Sequence, residues 1–213
     1  MTARATDAER DPIGSLDRDD LDPDPFRQFA KWYDLVRRSG TREPTAMTLA
    51  TASADGAPSA RTVLLKGVDD AGFLFYTNYE SRKGRELGDN PRAALLFYWP
   101  HFDRQVLICG TVARERPEAS DAYFAIRPRD SQLGAWASDQ SRVIAHRDVL
   151  EQRLAALAQR FQGRDVPRPP HWGGFRLIPT SFEFWQSGSA RLHDRFRYER
   201  AEGTAWKIER LAP

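Results

Sequence analysis

The sequence has a single cysteine, Cys109, in 213 residues, so no intrachain disulfide can form and a reducing, cytoplasmic setting is expected. Within "QVLICG" that cysteine reads as a small buried side chain, not a nucleophile. Long apolar runs are also missing: "AALLFYW" at 93–99 is too short to span a bilayer, and "MTARATDAERD" lacks the apolar core of a signal peptide. No strand leads into a glycine fingerprint, which argues against a dinucleotide-binding fold, and there is no P-loop. The four histidines, 101, 146, 171 and 193, are scattered, so metal chemistry is not expected. Lysine is scarce too. Only Lys31, Lys66, Lys83 and Lys207 occur, and the basic charge is nearly all arginine. A net charge of +2 gives no reason to expect nucleic acid. Residues 1–25 hold eight acidic and three basic side chains, which leaves 29 basic against 22 acidic in the remainder. A modestly basic body of this kind suits an anionic small ligand as well as a polyanion.

With 40% hydrophobic and 11% aromatic residues, the chain has the material for a globular core. Residues 1–23, rich in Asp, Pro and Arg, read as a flexible acidic tail, and 24–213 as a single domain without repeats. "DPFRQFAKWYDLVRRSG" places Phe26, Phe29, Trp32, Tyr33 and Val36 at helical spacing before the stop signal Gly40. "AMTLATAS", "SARTVLLKGV" and "GFLFYTN" predict three antiparallel strands separated by turns. "SRKGRELGDNP" predicts a short helix capped by Ser81; "RAALLFYW" and "RQVLICGTVARER" are two further strands. "PEASDAYFAIRP" and "DSQLGAWAS" are short helices. In "HRDVLEQRLAALAQRFQ", Leu150, Leu154, Leu157 and Phe161 form an amphipathic stripe. "FRLIPTSFEFWQ", "ARLHDRFRYER" and "AWKIERL" add three strands. About eight hairpin-linked strands with helices between them predict a mainly β fold with peripheral helices, closing as a barrel.

Cations gather at several places. Arg82 and Lys83 occupy the first turn of a helix, where they oppose the helix dipole unless an anion sits over that terminus; they could equally point into solvent. Arg61 and Lys66 have opposite parity, which on a regular strand places them on opposite faces. Tyr123 and Arg127 stand at i and i+4, with Ser131 just past a proline break, able to cap or to bind an oxyanion. "RLHDR" at 191–195, read as a strand, puts Arg191, His193 and Arg195 on one face and Leu192 and Asp194 on the other. Alone, that stretch reads first as a solvated edge strand laced with salt bridges. Two phosphate sites in one small barrel are the joint implication.

The segments "REPTAMTLATASADGAPSARTVLLKG", "FYTNYESRKGREL", "NPRAALLFYW", "RQVLICG", "RPRDSQLGAWASDQS", "WGGFRL" and "FWQSGSARLHDRFRYER" closely resemble the pyridoxine/pyridoxamine 5′-phosphate oxidase family, in order, from about residue 24 onward. The resemblance implies an FMN-binding split β-barrel and a homodimer with FMN at the subunit interface. It implies oxidation of pyridoxine or pyridoxamine 5′-phosphate by O₂ to pyridoxal 5′-phosphate with release of H₂O₂. By the family's pattern, FMN falls to Arg61, Lys66, Tyr76, Thr77, Arg82, Lys83, Gln105, Gln140, Ser141, Trp185 and Arg195. The substrate phosphate falls to Lys66, Tyr123, Arg127 and Ser131, while Arg191 and His193 cover the substrate ring as the catalytic pair. His193 is open to proton transfer or to binding alone. The sequence departs from the family at "DAERDPIGSLDRDD", which is acidic and has no tyrosine, where many members carry an Arg and a Tyr that lid the substrate. Two rivals remain: a sister flavoenzyme acting on another aromatic substrate, as in phenazine biosynthesis, and a non-catalytic carrier of flavin or vitamer phosphate. The complete set Lys66, Tyr123, Arg127 and Ser131 favours a phosphorylated substrate.

Overall fold

A computed structural model describes residues 14–200 and 205–213. Among these are nine strands and five α-helices: α1 (Pro25–Arg38), β1 (Ala46–Ala52), β2 (Pro58–Leu64), β3 (Gly67–Asp69), β4 (Gly72–Asn78), α2 (Arg82–Asp89), β5 (Arg92–Trp99), β6 (Arg104–Arg114), α3 (Pro117–Ala125), α4 (Arg129–Ala137), α5 (Asp148–Arg160), β7 (Trp172–Gln186), β8 (Asp194–Arg200) and β9 (Trp206–Leu211). The hydrogen-bonded strand order is β2-β1-β5-β6-β7-β4-β3, with β8 on β7 and β9 on β8. The expected mainly β fold with peripheral helices is therefore present. No helix among the described residues is long and apolar enough to cross a membrane.

The chain divides into two compact units. One comprises residues up to Pro44, Leu96–Ile108 and Thr180–Pro213; the other comprises Thr45–Leu95 and Cys109–Pro179. In the first, α1 starts on Asp24, whose carboxylate accepts the Phe26 N–H, with Pro25 at the first helical position. The helix buries Phe29, Trp32 and Val36, with Phe29 against Phe97 and Trp99 and Trp32 edge-on to Phe184. The second half of β7 pairs with β8 from Ser181↔Glu199 to Gln186↔Asp194, and β8 pairs with β9. Phe196 and Tyr198 point into the core, and the Tyr198 hydroxyl donates to the Asp22 carbonyl. The tail expected over 1–23 falls partly outside the described residues, which begin at 14. Residues 14–23 are held: Leu16 and Leu21 are buried, the Leu16 N–H donates to Asp194, and Gln186 donates to the Gly14 carbonyl.

The second unit carries β1 to β4, α2 to α5 and the first half of β7, which pairs with β4 from Phe73↔Leu177 to Asn78↔Trp172. Its core is built from Met47, Leu49, Phe73, Phe75, Leu95, Phe175 and Leu177, with a second cluster of Phe124, Leu133, Phe161, Val166 and Trp172. The predicted strand "SARTVLLKGV" is broken into β2 and β3 after Leu64, which gives nine strands in place of eight. The α5 stripe is only partly covered: Leu154 is exposed and α5 buries no residue fully, while Phe161, just past its end, is buried. Cys109 is half-buried, more open than the sequence suggested. Gly84 lets α2 approach the end of β4, since a Cβ there would stand 2.2 Å from the Tyr79 carbonyl oxygen.

Candidate functional site

A cavity of about 1100 Å³ opens in the second unit. It is lined by Arg61, Lys66, Tyr76, Thr77, Arg82, Lys83, Tyr123, Arg127, Ser131, Gln140 and Ser141, all singled out in the sequence, and by Trp172, which was not. The first turn of α2 is built as the sequence suggested. Ser81 caps it, accepting the Gly84 N–H, and Arg82 and Lys83 follow at the positive end of the helix dipole. Lys83 is 8% exposed and its ammonium donates to Thr77 Oγ1, Ser81 Oγ and Gln140 Oε1 at 3.0–3.2 Å. Gln140 thereby ties the loop after α4 to this helix, and Ser141 next to it takes a left-handed conformation, φ 72°. Burial, with the Arg61 charge adding to it and Glu86 opposing, pulls the Lys83 ammonium down to about 8.

Glu86, which sequence reasoning passed over, organises this cluster. Its carboxylate accepts from Thr51 and Ser59 hydroxyls and from Arg61 on Oε2, and from Arg82 Nε on Oε1 at 2.8 Å. Burial alone would raise its pKa, but the hydrogen bonds from Ser59, Thr51 and Arg82 and the Arg61 charge hold it at about 2. The i,i+4 spacing of Arg82 and Glu86 was the available signal. Arg61 also donates to the Leu49 carbonyl, Thr51 and Ser59, so much of its fork is occupied. Arg82 makes no hydrogen bond beyond Nε within the described residues, which leaves its terminal nitrogens open.

Two parity expectations are corrected. Arg61 and Lys66 line the same cavity and not opposite faces, because β2 stops at Leu64 and the alternation does not carry to Lys66. Tyr123 and Arg127 do not share a helix face: α3 ends at Ala125, and Arg127 precedes Pro128, which disfavours helical backbone before it. Both still line the cavity. Ser131 sits inside the first turn of α4, not as its cap, and its hydroxyl makes no hydrogen bond within the described residues. The Arg127 guanidinium lies 4.5 Å from the Trp172 ring centroid and 5.4 Å from that of Phe124, and its Nη1 is buried without an acceptor. Burial lowers its pKa from the ordinary arginine value. Tyr76, Tyr123 and Trp172 stack nearly parallel, with Tyr76 4.0 Å from Tyr123 and 5.3 Å from Trp172.

The remaining expected residues, Gln105, Trp185, Arg191, His193 and Arg195, belong to the first unit. The strand expected through "RLHDR" is corrected: Ser189–Arg191 form a short 3₁₀ turn with Ala190 and Arg191 at φ 53° and 63°, and β8 begins only at Asp194. Arg191 therefore does not alternate with His193 and Arg195 on one strand face. The His193 ring lies 4.8 Å from Trp185, and its Nδ1 accepts the Gly188 N–H at 3.2 Å. That bond fixes the neutral imidazole as the Nε2–H tautomer, a donor. Arg195 is gripped by Glu183 through Nε and Nη2 and by the Ala212 carbonyl through Nη1, with the Glu183 bond raising its pKa. Glu183 was not foreseen. Gln105 on β6 makes no side-chain hydrogen bond within the described residues.

Comparison with known proteins identifies the family and the fold. Residues 37–161 match the model of the pyridoxamine 5′-phosphate oxidase family, and 172–213 match the pyridoxine 5′-phosphate oxidase C-terminal dimerisation region. The pyridoxine/pyridoxamine 5′-phosphate oxidase of Rubrobacter xylanophilus is 59% identical over 93% of this chain and 91% of its own length. That of Paraburkholderia phymatum is 56% identical over 94% of each chain. Among solved structures, PhzG from Burkholderia lata, in complex with tetrahydrophenazine-1-carboxylic acid, superposes with TM-score 0.86 at 36% identity, covering 94% of this chain and all of its own. The split-barrel expectation stands on that superposition, and the chain belongs to the pyridoxamine 5′-phosphate oxidase family.

Proposed function

We propose that this chain, as a homodimer with FMN at the subunit interface, oxidises pyridoxine 5′-phosphate and pyridoxamine 5′-phosphate to pyridoxal 5′-phosphate. The alcohol reacts with O₂ to give the aldehyde and H₂O₂; the amine also consumes water and releases ammonia. The reaction belongs in the cytoplasm, and residues 24–213 form its catalytic domain. One observation carries the reading: a single cavity holds two sets of phosphate-type donors secured by different partners, Arg61, Arg82 and Lys83 around Glu86, and Lys66, Tyr123, Arg127 and Ser131 beside Trp172.

The residues fit both anions. Arg82 has open terminal nitrogens beside a helix N-terminus, and Arg127 has a buried nitrogen with no acceptor. FMN, when bound, supplies the hydride acceptor and passes the electrons to O₂. Arg61, Arg82 and Lys83 hold its phosphate, with Tyr76, Thr77, Gln140 and Ser141 alongside and Gln105, Trp185 and Arg195 lining the rest. Lys66, Tyr123, Arg127 and Ser131 grip the substrate phosphate and thereby place the reacting carbon, the main contribution a protein makes to hydride transfer. Arg191 has no ion pair within the described residues and is available to the substrate. His193, with Nδ1 already occupied, donates from Nε2 to the substrate and does not take up its proton.

An aerobic assay with FMN tests this. It follows pyridoxal 5′-phosphate by absorbance and peroxide in parallel, with unphosphorylated pyridoxine as control. Equal product and peroxide, from the phosphorylated vitamer alone, is the expected result. A yellow protein that makes neither would refute the substrate assignment and point to an unphosphorylated aromatic, of the kind bound in the Burkholderia lata complex.

A further inference from the structure

We propose that Trp172 is a positioning residue that holds the Arg127 guanidinium on its indole face and so sets the preference for a phosphorylated substrate. The proposal rests on the function proposed above. Trp172 is itself immobilised. It is buried, stacked with Tyr76 and Tyr123, edge-on to Phe124 at 5.2 Å, and pinned through its backbone by Pro169 and by the Arg168 guanidinium on its carbonyl.

The argument turns on what holds Arg127. A guanidinium nitrogen taken out of water ordinarily needs an acceptor, and the half-buried Arg61 and the exposed Arg82 both have a carboxylate in Glu86. Arg127 makes no ion pair within the described residues; its Cζ stands 4.5 Å over the Trp172 ring, and its Nη1 is buried with no acceptor. A π face attracts a cation through its quadrupole without accepting its N–H groups in plane. The guanidinium is therefore fixed in place while keeping its charge and its donors for an incoming oxyanion. A carboxylate in the same role would have used both. Trp172 touches the cavity, but its effect on specificity runs through Arg127.

The test measures binding of pyridoxal 5′-phosphate and of unphosphorylated pyridoxal to the FMN-loaded protein by calorimetry, and takes the ratio of affinities as the phosphate preference. It is read in wild type, Trp172→Leu, Trp172→Phe, Arg127→Ala and the Arg127→Ala/Trp172→Leu double variant. Trp172→Leu should lower the ratio about tenfold, Trp172→Phe should recover most of it, and the double variant should fall no further than Arg127→Ala alone. FMN affinity, measured in the same proteins, should stay within about twofold. An unchanged ratio in Trp172→Leu, additive losses in the double variant, or FMN affinity falling in step with the ratio would overturn the proposal. Should Trp172→Leu not fold, Trp172→Phe with the Arg127→Ala cycle decides it: a Phe variant as poor as Arg127→Ala would refute a role for the aromatic face. A wild type without phosphate preference would instead refute the function proposed above, which separates the two failures.

Discussion

Two groups of cations line the same cavity, and the chain holds them by opposite means. Around α2, Arg61 and Arg82 are bound to a buried carboxylate, Glu86, which also collects Thr51 and Ser59. Just past the end of α3, Arg127 lies on aromatic faces with no carboxylate partner among the described residues. The difference teaches what each group can do before a ligand arrives. The first is partly satisfied: some of its charge is neutralised by Glu86, which contributes to the fold itself, while the terminal nitrogens of Arg82 stay open. The second is left unsatisfied, with a buried nitrogen lacking an acceptor, so its binding energy is kept for an anion.

Removing Arg127 should break the comparison most sharply. Arg127→Ala is expected to raise KM for pyridoxine 5′-phosphate by about 100-fold, the scale of a lost charge-assisted bidentate contact of roughly 2–3 kcal/mol. FMN should remain bound, and folding should be little affected, because no carboxylate is left unpaired by the change. Steady-state kinetics at saturating FMN would measure it; a KM within about threefold of wild type would remove Arg127 from the phosphate site.

Glu86 should show the converse. Glu86→Gln keeps a hydrogen-bonding group for Thr51 and Ser59 but loses both ion pairs, and should cost about 1–2 kcal/mol of stability at pH 7. The pH dependence carries the sign. Glu86 is held at about 2, below its ordinary 4.5, so its contribution is fully present above pH 4.5 and is lost as pH falls toward 2. The gap in stability between wild type and variant should therefore close across that acid window, read as denaturant midpoints at each pH. At saturating FMN, KM for the substrate should not move, since Arg127 does not depend on Glu86. A variant gap that stays constant from pH 5 to 2 would refute the ion-pair origin.

How much of this was legible in the sequence follows from the physics of each element. The Ser81 cap and the two cations behind it were readable because capping and dipole effects are local. The cavity residues were assigned by likeness to the family, and they converge in space even where the local geometry was misread. The helix ending before Arg127 had a signal in Pro128, whereas the break after Leu64 was hidden inside a run of β-forming residues. The turn at Ala190 and Arg191 had none, since neither residue type favours positive φ. Glu86, Glu183 and Trp172 were missed for a common reason. Each acts by supporting a cation, and apart from the i,i+4 spacing of Arg82 and Glu86 the supported group is distant in sequence, so a single sequence marks the cations better than what holds them.

Lys83 lies between the two modes and gives the subtlest test. It belongs to the α2 group, yet its ammonium is surrounded by neutral oxygens from Thr77, Ser81 and Gln140, with the Arg61 charge opposing it, and it is pulled down to about 8. In the free protein the charged form is disfavoured, so raising the pH from about 8 toward 10.5 relieves a destabilisation. Anion binding works the other way, because a bound phosphate favours the ammonium. FMN affinity should thus fall as pH rises past about 8, by about fivefold between pH 7.5 and 9, while Lys83→Met should bind more weakly at pH 7 and lose that slope. The substrate phosphate, gripped by an arginine that stays charged throughout, should show no such decline in the same range. Fluorescence titration of FMN across pH in both proteins would read the difference; parallel curves for Lys83→Met and wild type would assign the decline to another group and leave Lys83 as a hydrogen-bond donor only.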